Sequence, residues 1–335
     1  MSEPADVRTA AQPPQGPAGE RRRSKVAIVG AGAVGSTLAY ACLLRGASRE
    51  VVLFDRNPEK VEAQALDIAH GIAFTPMGTV DGSDDIAICT DADVVVVTAG
   101  AKQKPGQSRR ELAGATIGIM RELIPRLTAV APDATYIMVA NPVDAVTYAS
   151  LAISGLPESR FFGSGTVLDS SRLRYLVAQE CGVAVQNVHA YIAGEHGDSE
   201  LPLWTSAMIG AVPLLEWGAR SGGGALDEAT RNRIADEVVT SAYRIIAGKG
   251  ATNYAIGLAV VRIIEAVLRD EHLVLSVSSR LDDYLGISDT CLSVPSIVGK
   301  SGVNRQLVPV VSDHELSGLQ SSAEEVRSIT RQFGF

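Results

Sequence analysis

One histidine, His196, lies within the acidic stretch GEHGDSE at residues 194–200. An imidazole titrates near neutral pH, so it can give or take a proton during a reaction. Earlier in the chain, the stretch GTVLDSSRLRYL places Asp169 and Arg172 three positions apart. On a helix this spacing puts both side chains on one face. We predict that Asp169 holds one nitrogen of His196 and fixes its tautomer, while Arg172 grips a carboxylate through two parallel hydrogen bonds.

Each of these residues also has an ordinary structural interpretation. A lone histidine is more often structural than catalytic, and an Asp–Arg pair at this spacing is usually a weak helix salt bridge. Arg109, in the stretch KPGQSRREL, could equally be a solvated side chain. The chemical interpretation therefore depends on the elements that would bring these side chains together.

A glycine pattern near the N-terminus indicates the first such element. Gly30, Gly32 and Gly35 form G-x-G-x-x-G between an apolar run and an Ala/Leu-rich segment. In a strand–turn–helix unit the first glycine permits the tight turn, the second lets a pyrophosphate approach, and the third lets helix and strand pack closely. Asp55 follows twenty positions after Gly35, where a carboxylate accepts hydrogen bonds from ribose hydroxyls and repels a 2′-phosphate. These residues predict a dinucleotide site that favours NAD over NADP.

Strands alternate with helices in the first half of the chain. Apolar runs predict strands at residues 25–29, 50–55, 92–100 and 134–144. Helical spacing predicts helices at 36–45, ended by Gly46, and at 57–71, with Asn57 as N-cap and Pro58 in the first position. This alternation implies right-handed crossovers and a parallel sheet covered on both sides. We therefore assign residues 25–165 to an α/β domain of the Rossmann type.

The pattern changes after residue 165. We expect helices at about 167–180 and 226–250, antiparallel strands at 271–281 and 291–310, and a last helix capped by Ser312 with Glu315. This pattern predicts an α+β substrate domain at residues 166–335.

Residues 1–24 are rich in Pro, Gly and charged residues, and we expect a disordered tail there.

Composition excludes several classes of protein. The net charge of −8 over 335 residues argues against nucleic-acid binding, which needs a basic face. No apolar run is long enough for a membrane span, and no signal peptide is visible. The four cysteines form no C-x-x-C pair, so we expect no metal site and interpret them as buried thiols of a reducing compartment, the cytoplasm.

Six stretches occur together in the order found in a known family: VGAGAVGS, TAGAKQKPGQSRREL, NPVD, GTVLDSSRLR, NVHAYIAGEHGDSE and KGAT. Over residues 25–332 the chain resembles the L-lactate dehydrogenases of the lactate/malate dehydrogenase superfamily. The resemblance implies that His196 gives and takes the proton and that Asp169 orients it. It also implies that Arg172 binds the substrate carboxylate, while Arg109 polarises the reacting carbonyl.

The resemblance extends to the residues around this centre. It implies that Asn141 contacts the nicotinamide ribose and the substrate oxygen, and that Thr252 forms a pocket wall beside the substrate methyl. Further cofactor contacts are implied for Val34, Thr98 and Gly100. Arg174 and His189 match positions that bind the activator fructose 1,6-bisphosphate in some bacterial members. The family forms tetramers, so a homotetramer is expected.

Gln103 bears on the choice of substrate. Related malate dehydrogenases carry arginine there to neutralise a second carboxylate, and burying an unpaired carboxylate costs several kcal/mol. Gln103 therefore favours pyruvate over oxaloacetate, although Lys102 or Lys104 could neutralise a dicarboxylate if turned inward. We also expect the loop at residues 101–112 to close over the substrate and deliver Arg109.

Three functions remain open from the sequence. An NAD-dependent L-lactate dehydrogenase, acting on pyruvate and L-lactate, uses all of these residues. A malate or other 2-hydroxyacid dehydrogenase would use the same residues on another acid. A non-catalytic NAD-binding sensor would need the glycine loop and Asp55 but not His196 or its partners.

Overall fold

A nine-stranded sheet runs through the molecule and carries the elements that form the site. The computed structural model describes residues 24–76, 78–102, 108–222, 224 and 226–335. The predicted tail, apart from Ser24, and Gln103 and Lys104 lie outside the described residues, so the predictions made for them are not tested by the structure.

The first half of the chain forms a parallel sheet with helices on both faces. Its strands are β1 (Lys25–Val29), β2 (Glu50–Phe54), β3 (Thr79–Ser83), β4 (Val94–Val97), β5 (Thr135–Met138) and β6 (Phe161–Gly163). Its helices are α1 (Ala33–Arg45), α2 (Pro58–His70), α3 (Arg109–Val130) and α4 (Val143–Ser154). The strands pair in parallel in the order β3-β2-β1-β4-β5-β6, which is the Rossmann order.

The second half adds antiparallel strands and helices. Its strands are β7 (Val188–His189), β8 (Ile192–Ala193), β9 (Leu201–Pro202), β10 (Met208–Ile209), β11 (Val212–Pro213), β12 (Leu273–Leu281), β13 (Thr290–Gly299) and β14 (Gly302–Gln306). Its helices are α5 (Val167–Cys181), α6 (Trp217–Ser221), α7 (Glu228–Lys249), α8 (Tyr254–Leu268) and α9 (Asp313–Gln332). Strands β12 to β14 extend the parallel sheet, because Ser278 of β12 pairs with Gly163 of β6. One sheet therefore spans both halves.

The sheet separates two apolar cores. Ala27 and Val95 belong to one core, whereas their chain neighbours Val26 and Val94 belong to the other. This alternation explains why the strands are apolar at every position, as expected for a parallel sheet that is covered on both faces. A third, smaller core packs α5 against α7 and the short strands, and it fixes α7 beside the site described below.

The predicted helix signals are present where the sequence places them. Asn57 accepts a hydrogen bond from the Lys60 amide at 2.9 Å, Gly46 ends α1 with a φ of 61°, and Ser312 and Glu315 form the capping box of α9. Each of these signals is a contact between residues three or four positions apart in the chain. It therefore does not depend on how the helix packs against the rest of the protein.

Several predicted boundaries are wrong. The strand expected over 134–144 ends at Met138, and Asp144 lies in the first turn of α4. The strand expected over 92–100 is shorter and consists of β4, Val94–Val97. Helix α1 begins at Ala33, three residues earlier than expected. An apolar run continues through a strand end and into the following helix when all of it is buried, so hydrophobicity alone does not mark the boundary.

Two further expectations are corrected. The loop expected over residues 101–112 is shorter, because Ser108 caps α3 and Arg109 is its first residue. Cys42, Cys89 and Cys291 are buried as predicted, but Cys181 is partly exposed at the end of α5.

Across the described residues, no helix combines the length and the apolar character that a membrane crossing requires.

The capping box of α9 gives a stability prediction. Ser312→Ala removes the side chain that accepts the Glu315 amide at 3.3 Å, so we expect the free energy of unfolding to fall by about 1 kcal/mol. Ser317→Ala, at an exposed position inside the same helix, is the matched control and should be neutral or slightly stabilising, because alanine favours the helix interior. Chemical denaturation measures both, and equal effects of the two substitutions would contradict the capping role.

Candidate active site

The predicted cofactor residues lie at the carboxyl ends of neighbouring parallel strands. The glycine loop follows β1, Asp55 follows β2, Thr98 and Gly100 follow β4, and Asn141 follows β5. Strands β1 and β4 are adjacent in the sheet, and the chain order reverses between them. Ligands of open α/β sheets bind at such a reversal.

The glycine loop has the geometry that its predicted role requires. Gly30 has a φ of 107°, which a side chain would strain. A Cβ atom on Gly35 would lie 1.8 Å from the Gly30 carbonyl oxygen, so only glycine permits this approach of helix and turn. A Cβ on Gly32 would meet nothing within 4 Å. This open space, at the N-terminus of α1, fits a bound pyrophosphate.

Asp55 is held in place by three donors. Its carboxylate accepts hydrogen bonds from the Ala31 amide at 2.8 Å, from the Asn57 amide at 3.1 Å and from Lys60 Nζ at 2.8 Å. Burial raises the pKa of Asp55, but the bonds from Lys60 and the two amides outweigh it, and the net pKa is lowered. Asp55 is therefore a fixed anion beside the glycine loop.

His196, Asp169 and Arg172 form one connected group. Asp169, in the first turn of α5, has a side chain that is only 1% exposed. One of its carboxylate oxygens lies 2.7 Å from His196 Nδ1, and the other accepts a bond from Arg172 Nη1 at 2.5 Å. Asp169 and Arg172 thus share one face of α5, as their spacing predicted, and the predicted contact of Asp169 with His196 is present. Because Nδ1 is engaged by Asp169, Nε2 is the nitrogen of His196 that can serve a ligand.

The charges in this group stabilise one another. Burial alone would lower the pKa of His196, but the charge and hydrogen bond of Asp169, with a smaller contribution from Glu200, raise it well above 6.5. Burial likewise opposes the charge on Asp169, and His196 and Arg172 overcome it to hold that pKa below its ordinary value. These contacts therefore favour the protonated form of His196.

The backbone of His196 is tethered to the sheet. His196 lies in the loop between β8 and β9, and its amide donates to Asp144 Oδ2 at 2.7 Å. The other oxygen of Asp144 accepts a bond from Ser278 Oγ at 2.6 Å. Burial raises the pKa of Asp144 to about 6 in spite of these two bonds. Sequence reasoning missed Asp144, because it assigned the residue to a strand.

Arg109 points toward the same loop from the start of α3. Its Nη1 atom lies 3.0 Å from Glu195 Oε1, and its Nη2 atom lies 3.3 Å from Asp198 Oδ1. A Cβ atom on Gly197 would collide with the guanidinium, so this glycine makes room for it. Tyr243 of α7 donates to the same oxygen of Asp198 at 2.8 Å.

These side chains line one open cavity with about 720 Å³ of empty space including its mouth. Its lining includes Arg109, Asn141, Asp169, Arg172 and His196. Both arginines can meet an anion there.

Helix α7 supplies a wall that sequence reasoning missed. The wall consists of Val239, Ala242, Tyr243 and Ile246. Their spacing of three, one and three positions marks a single helix face, which is the signal that could have identified them. Thr252, predicted as a wall, lies partly buried between α7 and α8 and is not among the lining residues within the described part of the chain.

The predicted activator residues lie away from this cavity. Arg174 Nε donates to the Ala190 carbonyl at 2.9 Å, and its guanidinium stacks on the ring of Tyr191. His189 is exposed on β7, directly before Ala190. Arg174 thus contacts the residue that directly follows His189, and neither Arg174 nor His189 is among the lining residues of the cavity.

The Asp169 contact predicts a change in the titration of His196. Asp169→Asn keeps the shape and removes the charge, so the pKa of His196 should fall, because only the smaller contribution of Glu200 then opposes the effect of burial. NMR titration of the imidazole signals measures this, with His70, His189, His272 and His314 as internal controls. An unchanged pKa of His196 in the variant would contradict the assignment.

Asp55 predicts the choice of dinucleotide. Asp55→Ser removes the carboxylate and frees Lys60 to meet a 2′-phosphate, so NADPH should gain affinity relative to NADH by at least about tenfold. Titration of nicotinamide fluorescence gives both affinities. Adding Lys60→Ala to Asp55→Ser should abolish the gain in NADPH affinity. If the ratio of the NADPH affinity to the NADH affinity were unchanged in Asp55→Ser, the role of Asp55 would be refuted.

Comparison with known proteins agrees with this geometry. The model of the lactate/malate dehydrogenase NAD-binding domain matches residues 24–163, and the model of the lactate/malate dehydrogenase α/β C-terminal domain matches residues 166–333. The chain is 58% identical over 312 residues to an L-lactate dehydrogenase of Bifidobacterium animalis subsp. lactis, covering 93% of this chain and 98% of that protein.

Solved structures show the same similarity. A ligand-bound minor L-lactate dehydrogenase from Enterococcus mundtii superimposes with a TM-score of 0.88 at 38% identity, covering 92% of this chain and 98% of that one. A lactate dehydrogenase from a Medee basin deep-sea metagenome library gives a TM-score of 0.90 at 35% identity, covering 94% of this chain and all of that one. With both domain models matched in sequence, this chain belongs to the lactate/malate dehydrogenase family, and its first half is the NAD-binding domain of that family.

Proposed function

We propose that this chain is an NAD-dependent L-lactate dehydrogenase that interconverts pyruvate and L-lactate. The observation that carries the proposal is the buried Asp169 carboxylate, which holds both His196 and Arg172 at the wall of one cavity. This arrangement offers a proton donor and a carboxylate anchor side by side, as reduction of a 2-keto acid requires. The identity of 58% to a curated L-lactate dehydrogenase supports the choice of reaction.

Each residue has a defined part in the proposed reaction. When bound, NADH supplies the hydride for the carbonyl carbon of pyruvate. Protonated His196 gives its Nε2 proton to the carbonyl oxygen, and Asp169 stabilises the imidazolium before that transfer. Arg172 binds the substrate carboxylate and so aligns the carbonyl with the proton donor. Oxidation of L-lactate runs the same steps in reverse, with neutral His196 as the base.

Arg109 is proposed to stabilise the negative charge that develops on the carbonyl oxygen. Its side chain lines the cavity and is one-third exposed, with Glu195 and Asp198 as partners. These carboxylates keep the guanidinium charged and near His196. Closure of the preceding loop remains a proposal, as does the role of Gln103 within it, because residues 103–107 lie outside the described part.

The contact residues are proposed on the same basis. Asn141 lines the cavity at the end of β5, where it can reach both the nicotinamide ribose and the substrate oxygen. For the cofactor, we propose contacts from the residues of the glycine loop and the ends of β2 and β4: Gly30, Gly32, Val34, Gly35, Asp55, Thr98 and Gly100. The wall role of Thr252 rests on the family resemblance alone.

A sugar bisphosphate is proposed as activator at Arg174 and His189. The bond from Arg174 to the Ala190 carbonyl uses Nε, which leaves its two Nη groups for a phosphate. The exposed imidazole of His189 adjoins the same carbonyl in the chain. A molecule with two phosphates, such as fructose 1,6-bisphosphate, matches two such hydrogen-bond donors.

Assembly and compartment are proposed as well. Large apolar side chains are exposed on the neighbouring helices α1, α2 and α8, including Tyr40 (53%), Leu66 (54%) and Tyr254 (70%). We propose that these side chains are buried between the subunits of a homotetramer, and sedimentation equilibrium measures the assembly mass. The four cysteines are free thiols, which fits work in the reducing cytoplasm.

A parallel assay tests the function. Following NADH absorbance, we expect pyruvate to be reduced with a higher kcat/KM than oxaloacetate, and fructose 1,6-bisphosphate to raise that value for pyruvate. Arg109→Lys should lower kcat at least about 100-fold, because a point charge cannot replace the planar donor pair. Arg110→Lys, one residue further along α3 and outside the cavity lining, is the matched control.

The opposing outcomes are distinct. Faster turnover of oxaloacetate would favour a malate dehydrogenase, and NADH binding without turnover of any 2-keto acid would favour a sensor. Unchanged turnover of Arg109→Lys would refute the role of Arg109 alone. If fructose 1,6-bisphosphate did not change the activity, only the proposal that it is an activator would be refuted.

A further inference from the structure

A buried carboxylate next to His196 holds the guanidinium of Arg109. Glu195 has a side chain that is only 5% exposed, and its Oε1 atom accepts a hydrogen bond from Arg109 Nη1 at 3.0 Å. Among the described residues, Arg109 is the one lysine or arginine that forms an ion pair with Glu195. The second carboxylate at the guanidinium, Asp198, is 65% exposed, so water screens its charge. The position of Glu195 therefore has the larger influence on the position of Arg109.

Two serine hydroxyls fix Glu195. Ser199 Oγ donates to Glu195 Oε2 at 2.6 Å, and the Glu195 amide donates to Ser322 Oγ at 2.6 Å. The two hydroxyl oxygens lie 3.0 Å apart. Because the one proton of Ser199 is used on the carboxylate, the proton of Ser322 is left for Ser199 Oγ. Glu195, Ser199 and Ser322 thus form a closed set of hydrogen bonds, which we call the serine ring.

Close packing of α9 against the loop that carries His196 makes this ring possible. Ser322 lies on α9 and is fully buried. A Cβ atom on Gly194 would lie 2.9 Å from Ser322 Oγ, so the glycine lets the hydroxyl approach the loop. One turn earlier on α9, a Cβ atom on Gly318 would lie 3.1 Å from the side chain of Leu201, which begins β9. The loop is therefore held against α9 at both of its ends.

Helix α9 is also joined to the helix that begins with Arg109. Phe333 directly follows α9, and its ring lies so close to α3 that a Cβ atom on Gly114 would come within 2.7 Å of it. Arg121 of α3 donates to the Phe333 carbonyl oxygen at 2.7 Å. Both partners of the ion pair, Arg109 on α3 and Glu195 on the loop, are thus held by one end or the other of α9.

His196 is held by different contacts. Its amide donates to Asp144 at 2.7 Å, and its Nδ1 atom lies 2.7 Å from Asp169 Oδ2. Neither contact includes a member of the serine ring. Loss of a ring hydroxyl should therefore leave the proposed proton donor in place and disturb Arg109.

We propose that the serine ring positions Arg109 where it stabilises the charge that develops on the carbonyl oxygen. This inference rests on the proposed function, because it takes that role of Arg109 as given. Ser199 and Ser322 are positioning residues, since neither is among the described residues that line the cavity. The charge develops only in the transition state, so a displaced Arg109 should lower kcat while the KM for pyruvate changes little.

Kinetics of pyruvate reduction by serine variants test the proposal. Ser199→Ala and Ser322→Ala should each lower kcat about tenfold, while the KM for pyruvate and the Kd for NADH change less than about twofold. Ser199→Thr keeps the hydroxyl and should retain the wild-type kcat. Ser321→Ala, at the exposed neighbour of Ser322 on α9, is the matched control. Should Ser322→Ala fail to fold, Ser199→Ala decides alone, because Ser199 is only partly buried.

A double-mutant cycle separates positioning from a general loss of structure. Arg109→Ala removes the group that the serine ring is proposed to position, so adding Ser199→Ala to it should lower kcat by less than a further twofold or so. An equal loss of kcat in both backgrounds would overturn the proposal, because Ser199 would then act without Arg109. So would an unchanged or a higher kcat in Ser199→Ala, or a loss in Ser199→Thr as large as that in Ser199→Ala.

Failure of the proposed function looks different in the same assay. Wild-type enzyme would then bind NADH but reduce no 2-keto acid, which overturns both proposals together. Reduction of pyruvate with the same kcat in wild type, Ser199→Ala and Ser321→Ala overturns the role of the serine ring alone.

Discussion

The hydrogen bond between the Asp169 carboxylate and His196 Nδ1 is the interaction on which the site depends. A carboxylate that is 1% exposed is costly to bury, and it is tolerated here because two cations meet it, one at each oxygen. The same bond orients the imidazole, fixes which nitrogen remains for a substrate, and favours the protonated form of that imidazole. Because Arg172 shares the carboxylate, the proposed substrate anchor and the proposed proton donor are positioned by one residue.

The continuous sheet explains how distant segments reach this carboxylate. The loop with His196 is joined to β13 by paired backbone bonds between Gly194 and Ser293, and Asp144 ties the His196 amide to β12 through Ser278. Strands β12 and β13 belong to the sheet that also carries the glycine loop. The proposed proton donor and the glycine loop are thus both held by one sheet, and hydride transfer needs such fixed positions.

Local chemistry made much of this predictable from the sequence. The caps at Asn57 and Ser312, the glycine loop and the spacing of Asp169 and Arg172 act over a few residues, and the structure has each where the pattern placed it. The pairing of Ser278 with Gly163 and the contact of Arg109 with Glu195 join residues far apart in the chain. No local pattern encodes such pairs, since they depend on sheet register and topology. Asp144 was misplaced for a related reason, because a buried turn and a buried strand share the same apolar character.

The most direct test of this account is a crystal structure of the enzyme with NADH and oxamate. The account predicts the oxamate carboxylate on Arg172, with its carbonyl oxygen within hydrogen-bonding distance of His196 Nε2 and its carbonyl carbon next to the nicotinamide ring. Oxamate bound away from these three groups, or a His196 ring that no longer contacts Asp169 in the complex, would contradict it.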